Sequence, residues 1–407
     1  MHQQSSPVSY GPARKHQRTI KPPSILPQDS RCESTVAIDS HYLELTRETV
    51  MPQTGVEADG VEADTEGDLL GRSGRLDLES SSVSEMCESE VAEALAADAF
   101  VRSGLQHQDQ GDYAQAIQDF LNAVTHYRAI QNVGGEERAL GSLGLACYNA
   151  GDHARAIEYS NRSFKIACQI NNQINAVKVL GTIGNAYRHL GNSIQAIYYQ
   201  NESRALAEHI GDQRGAMAAF NNLGLAFKAI RDYDQAILNE KQALNLAQQL
   251  KDRTVEAQVL KNLGNAYYAL GQPAQAVYYY ERRLHLARSL NQPRLEAQVL
   301  KNLSTACYST GNPEKAIDYT IARLNLSKLL KDLRGEEQAL RSLGVFYEGL
   351  GQVHQAAEKY EMRLQVARKL GDLSLFQQAQ DDLKRIFCNL GDFDRVHQFS
   401  HESLHPA

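Results

Sequence analysis

Tryptophan is absent from the 407 residues, proline occurs only ten times, and no apolar run approaches the roughly 20 residues a membrane helix needs. A membrane-spanning segment is therefore not expected. The first residues, MHQQSSPVSYGPARKHQRTIKPPSIL, contain no apolar core of the kind a secretory signal carries. They also contain no acid before Asp29, a feature shared with transit peptides. The six cysteines (Cys32, Cys87, Cys147, Cys168, Cys307, Cys388) form no CxxC pair, which argues against a disulfide frame or a zinc site and for single thiols in a reducing, cytoplasmic setting. A basic surplus is also missing. The net charge is −7, residues 1–90 carry 16 acidic and 8 basic side chains, and the remainder is close to neutral, which argues against nucleic acid as a partner. No Walker loop, G-x-S-x-G elbow or dinucleotide fingerprint occurs, so the common phosphate-binding and hydrolase classes have no foothold, and no cofactor is expected.

What the sequence does contain is a repeat. Gly111, Gly151, Gly191, Gly271, Gly311, Gly351 and Gly391 fall on one 40-residue grid, broken only by Arg231. Ala116, Ala156, Ala196, Ala236, Ala276, Ala316 and Ala356 follow five residues after each grid position. Upstream come Leu143, Ile183, Leu223, Leu263, Leu303, Leu343 and Leu383, with glycine beside five of them and Ser304 and Lys384 as exceptions. Four residues after each lies an aromatic or a cysteine: Cys147, Tyr187, Phe227, Tyr267, Cys307, Tyr347 and Phe387. Leu263, Ala266, Tyr267 and Leu270 recur at helical spacing before the turn, and Ala276, Val277, Tyr280, Leu284 and Ala287 after it. Each unit thus reads as a helical hairpin, with a first helix of about 15 residues and a second of about 18, joined where Gly271 supplies a left-handed turn. A lone hairpin cannot bury its apolar face, so the units must stack. The expected fold is all-α, an α-solenoid of about eight antiparallel hairpins with a right-handed superhelical twist.

The unit L-G-N-A-Y-Y-A-L-G-Q-P-A-Q-A at residues 263–276 resembles the tetratricopeptide repeat family, with Gly at its eighth position, an aromatic at the eleventh and Ala at the twentieth. The resemblance covers roughly residues 90–407. The unit of 40 residues, the missing Trp and the missing closing Pro set it apart from the common 34-residue form and make it similar to Leu-Gly-Asn-rich adaptors and cyanobacterial repeat proteins. The G-protein-binding motif that such adaptors carry after the array is not seen. The resemblance implies that first helices line the concave surface and that positions two, five, nine and twelve face inward. Carried over residue by residue, these positions are Arg138, Lys178, Asn185, Arg188, Asn221, Lys228, Gln258, Lys261, Asn265, Tyr268, Gln298, Lys301, Tyr308 and Arg341. Cations interspersed with amides suit an extended acidic peptide, whose backbone pairs with the amides and whose carboxylates meet the cations.

Residues 1–83 read as disordered, acidic towards their C-terminal half, and include the tandem GVEADGVEAD at 55–64. Within them, residues 38–48 (IDSHYLELTRE) read either as a docking motif or as a chance apolar cluster. The array is expected over 84–407, with an atypical capping repeat at 375–407. The acidic segment 57–90 could occupy the basic groove in cis. The string His401-Glu402-Ser403-Leu404-His405 matches H-E-x-x-H, with His397 one turn earlier, but the sequence offers no downstream ligand, so solvated histidines are the expectation rather than a metal site or an enzyme. The expected function is a non-enzymatic protein-interaction scaffold or adaptor. The alternatives are a receptor for a short peptide signal and an assembly chaperone.

Overall fold

The protein was analysed as a computed structural model that describes residues 77–401, with side chains described from Ser89 to Phe399. Over this span the chain is an all-α solenoid of sixteen helices in eight consecutive hairpins. The first helices of the hairpins are α1 (Asp77–Asp109), α3 (Val133–Asn149), α5 (Gln173–His189), α7 (Gln213–Ala229), α9 (Arg253–Ala269), α11 (Pro293–Ser309), α13 (Leu333–Gly349) and α15 (Leu373–Leu390). The second helices are α2 (Tyr113–Ala129), α4 (His153–Gln169), α6 (Ser193–Ile210), α8 (Tyr233–Gln249), α10 (Pro273–Ser289), α12 (Pro313–Leu329), α14 (Val353–Leu370) and α16 (Phe393–His401). Helix α1 begins seven residues before the expected onset at Ser84. Residues 1–76, and with them the GVEADGVEAD tandem and the 38–48 stretch, lie outside the described residues. So do the side chains of His401, Glu402 and His405.

The two helices of a unit are nearly equal, 17 residues each in most repeats, rather than the expected short first helix and long second one. The cause is a second turn series halfway between the glycines of the grid. Gln131, Asn171, Gly211, Lys251, Asn291, Lys331 and Gly371 all take positive φ, as do the grid glycines and Arg231. After most of these turns an Asp or Asn caps the next helix: Asp112, Asn132, Asp152, Asn172, Asn192, Asp212, Asp232 and Asp252 each accept a hydrogen bond from the backbone N–H three residues on. The backbone therefore repeats every 20 residues, and the side chains every 40.

Packing follows the leucine and glycine columns. Leu143, Ile183, Leu263, Leu303, Leu343 and Leu383 are wholly buried, and Leu223 is nearly so. Burial of one such side chain contributes about 1.5–3 kcal/mol. Beside them the glycines let the second helix of the same unit come close. A Cβ on Gly264 would lie 2.3 Å from Tyr280 Cε1, and one on Gly344 would lie 2.4 Å from the Tyr360 ring. Each helix packs on its neighbours in sequence, which is the continuous stacking a solenoid requires. Successive first helices also approach one another directly, α3 with α5, α5 with α7 and α7 with α9, and the contact diminishes in that order. No comparable approach is made by two successive second helices among the described residues. The first-helix side is therefore the inner, shorter arc.

Candidate functional site

The inner wall is built from the exposed stripes of the first helices, and the fourteen expected residues divide into those that reach it and those that do not. Arg138, Gln298, Lys301, Tyr308, Arg341 and Tyr268 are exposed, while Lys178, Arg188, Lys228, Gln258, Lys261 and Asn265 are half-buried. Asn185 and Asn221 are interior. Asn185 is fully buried and accepts from Gln200 Nε2 at 3.4 Å, and Asn221 accepts from Asn262 Nδ2 at 3.0 Å. These two asparagines pair helices with each other and offer nothing to a guest. Close approach of α3, α5 and α7 is the reason, because it covers positions that stay open further along.

From α9 onward the wall is open and its polar groups bond both within a helix and from repeat to repeat. Lys261 Nζ donates to Gln258 Oε1 at 3.4 Å, Lys301 Nζ donates to Gln338 Oε1 at 3.4 Å, and the Tyr268 and Ser309 hydroxyls lie 2.9 Å apart. Tyr308 stacks on Phe346 with ring centroids 4.6 Å apart. Among the described residues, Lys301 and Arg341 have no carboxylate at ion-pair distance, whereas two arginines beside turns do: Arg288 meets Glu296 at 2.7 Å and Arg334 meets Asp372 at 3.3 Å. In the first half, burial pushes the Lys178 ammonium below the ordinary lysine range, while Asp212 and Glu137 oppose that shift.

Beneath the wall lies a column that the sequence reading passed over. The second-helix position that packs between one first helix and the next is Ala123, Ser163, Ser203 and Ala243 in the first four hairpins, and Arg283, Arg323 and Arg363 in the next three. Ser163 Oγ donates to the Glu137 carbonyl at 2.8 Å. Arg363 is sandwiched by two acids, Glu337 and Asp382, each at 2.6 Å. Arg323 donates to Gln338 Oε1 at 2.9 Å, and burial lowers its pKa while Asp332 and Glu337 oppose the shift. Among the described residues Arg283 makes one long bond, 3.4 Å to Gln298 Oε1, and its Nε and Nη1 reach no partner. Burial pushes this guanidinium down to about 10. The signal for the column was present as Arg at three successive 40-residue steps, but arginine on a helix is ordinarily a solvated residue.

A second buried acid stands out. Glu240 is fully enclosed against Gly224, its Oε2 has no partner, and burial raises its pKa well above the carboxylate range, with Asn262 and Lys228 only partly offsetting this. A separate cleft of about 390 Å³ lies at the end of the array, lined by His354, Glu358, Glu361, Phe387, Asp392 and Arg395 among others. It belongs to α14, α15 and α16 and the turn between the last two, not to the inner wall. Among the described residues no helix is long and apolar enough to cross a membrane, and no group of three His, Cys, Asp or Glu side chains is placed to hold a metal ion.

The tetratricopeptide repeat profile matches residues 95–169, 175–249 and 255–328, and a second tetratricopeptide repeat profile matches 339–374. Together these matches span more than half of the sequence, and the chain belongs to the tetratricopeptide repeat family. Among solved structures it is similar to the C-terminal part of a TPR repeat-containing protein from Cytophaga hutchinsonii, with a TM-score of 0.51, 14% identity, and coverage of 69% of this chain and 98% of that one. It is also similar to the apo form of the quorum sensor NprR from B. thuringiensis (TM-score 0.49, 14% identity, 79% and 92% covered) and to BtubC from P. vanneervenii (0.48, 18%, 54% and 90%). At these identities the likeness concerns the fold alone. No curated protein matches the sequence.

Proposed function

We propose that the chain is a protein-interaction scaffold whose inner wall, chiefly the stretch from α9 to α13, holds an extended acidic segment of a partner polypeptide. The observation that carries this reading is the pair of exposed cations Lys301 and Arg341, left without carboxylate partners among the described residues, on the same wall as Lys261, Gln258 and Gln298. Some cations of the array are neutralised internally, as at Arg288–Glu296 and Arg334–Asp372, whereas Lys301 and Arg341 share one inner face without such partners among the described residues and are suited to acids supplied from outside. Amides between them can bond the backbone of an extended guest.

Lys261→Glu combined with Lys301→Glu tests the reading. The double variant is expected to lose binding of a glutamate-rich peptide, measured by fluorescence anisotropy, while circular dichroism and melting stay as in the parent protein. Unchanged affinity would refute it. Binding in the parent should also weaken as salt rises, since exposed charges are screened over about 8–10 Å at physiological ionic strength. The acidic segment of the chain itself is a candidate competitor for the same wall. Residues 77–90 of that segment are helical at the head of α1, so only 57–76 remain for such a contact, and these lie outside the described residues. Removal of residues 1–76 should raise partner affinity if they compete, and equal affinity would dismiss the competition.

A further inference from the structure

The buried arginine column assigns a specific role to one position. Arg363 shows what a guanidinium needs at this depth: Glu337, 26 residues earlier, and Asp382, 19 residues later, each 2.6 Å away. Arg283 occupies the equivalent place two repeats earlier and is only 3% exposed. Its counterparts at those two offsets are Ala257 and Asn302. Arg323 at least has Asp332 and Glu337 close enough to favour its charge, and the matching positions for Arg283 are Gln292 and Ala297. Arg283 is thus an interior cation whose two acids have been replaced, and its Nε and Nη1 donate to nothing. Enclosing an uncompensated charge is unfavourable, so the position is poised to gain from a carboxylate supplied from elsewhere.

One side chain connects it to the wall. Among the described residues the hydrogen-bond partner of Arg283 is Gln298 Oε1 at 3.4 Å, a long bond, and Gln298 is an exposed side chain of the inner wall. Gln298 thus links the guanidinium to the groove surface. Lys261 and Lys301 stand on the same wall in the adjoining first helices. Resting on the groove reading above, we propose that Arg283 is the carboxylate-selecting residue of the inner wall: an acidic side chain of the guest displaces the Gln298 amide oxygen and forms a two-point pair with the guanidinium. The lysines draw the acidic segment in, and Arg283 fixes its register, because a two-point pair is directional where an ammonium is a point charge.

The probes are a labelled peptide with the sequence of residues 55–66, which holds five acids, and its counterpart with each Glu and Asp replaced by Gln or Asn. Anisotropy is read on the full-length protein and on three variants. Arg283→Met is expected to weaken the acidic peptide by about tenfold or more and to leave the amide peptide unaffected. Asn302→Asp, which restores in this repeat the acid that Asp382 provides to Arg363, should produce the same selective loss together with a higher melting temperature. Thr305→Asp adds the same charge at an exposed position of α11 and should cost about threefold at most. If Arg283→Met and Asn302→Asp merely match Thr305→Asp, Arg283 is not the selecting residue although the groove stands. If the parent protein binds the acidic peptide no better than the amide one, the groove reading itself falls. Should Arg283→Met fail to fold, Asn302→Asp decides alone through its paired readouts of affinity and melting.

Discussion

The first four hairpins and the next three use one backbone to make two kinds of wall. In the first, small residues (Ala123, Ser163, Ser203, Ala243) sit between successive first helices, α3, α5, α7 and α9 touch one another, and position-five residues such as Gly181 and Asn221 are covered. In the second, Arg283, Arg323 and Arg363 fill that place, the direct contact between first helices falls away, and position five presents Lys261, Lys301 and Arg341 to the groove. From α3 onward the residue in that column, small or large, thus tracks whether the inner surface is an internal seam or an open wall, whereas α1 and α3, on either side of Ala123, make no comparable direct approach. The arginine column also sets an electrostatic demand, which each repeat meets to a different degree.

The sharpest way to break the comparison is to remove the same residue from the best-paired and the worst-paired repeats. Arg363→Met leaves the almost wholly buried Glu337 without its cation, while Asp382 keeps Arg385 at 3.1 Å. Loss of one partner from such a pair costs about 3–5 kcal/mol. Arg283→Met removes a charge with no counter-ion and replaces it with a flexible apolar chain, so it should be neutral or stabilising by about 1–4 kcal/mol. Urea unfolding of the two variants checks this. Equal destabilisation would mean that the guanidiniums act as packing volume, and that the acids around Arg363 are incidental.

Glu240 sharpens the comparison within the first half, where the internal seam has enclosed an acid rather than a base. Its carboxyl has a folded pKa well above 4.5, with burial as the main cause. Below pH 4.5 folded and unfolded chains both hold the proton, and the acid causes no loss. Above that value the unfolded chain releases its proton while the folded one retains it, so this group lowers stability as pH rises until the folded pKa is passed. Glu240→Gln removes the dependence. Its gain should be near zero at pH 4.5 and about 1–3 kcal/mol at pH 8, read as the difference in thermal unfolding between the two proteins. A gain independent of pH would point to packing against Gly224 instead.

The outline of this molecule was legible in the sequence because its strongest constraint is periodic. The glycine, alanine and leucine columns return every 40 residues without insertion, and the eight hairpins follow from them. The second turn series was hidden because only Gly211 and Gly371 mark it, while Gln131, Lys251 and Lys331 adopt the left-handed region without any compositional signal. That omission is why unequal helices were expected where nearly equal ones occur. Of the fourteen residues assigned to the wall, those from α9 onward are exposed or half-buried, whereas Asn185 and Asn221 are buried. Single-helix periodicity gives the direction a side chain points along its own helix, but not how near the next repeat's helix comes. That distance depends on the residue at the Ser163 or Arg283 place, in a different helix.

The smallest effect concerns the turns themselves. Arg231 stands where the grid has glycine and takes φ +62°, against +78° at Gly271. Two hydrogen bonds of the two turns match: Arg231 N–H donates to the Lys228 carbonyl at 3.0 Å and Asp232 N–H to the Phe227 carbonyl at 3.0 Å, while Gly271 and Gln272 donate to Tyr268 and Tyr267 at 3.1 and 2.9 Å. One differs, since Leu270 N–H also donates to the Ala266 carbonyl at 2.9 Å and Ile230 N–H reaches only Lys228. Arg231→Gly keeps the two shared bonds and removes the left-handed strain, worth about 1 kcal/mol. Glycine also loosens the unfolded chain, which offsets about 0.4–1 kcal/mol of that gain. The net rise should therefore be a few tenths of a kcal/mol, seen as a shift in the denaturation midpoint at constant slope. Lys251→Gly, in the second turn series at φ +56°, should behave alike, whereas Asn171→Gly at φ +55° should gain less because asparagine tolerates this region. If all three substitutions gave the same change, the strain would not depend on the residue, and the twenty-residue turn series would be set by helix packing rather than by local backbone preference.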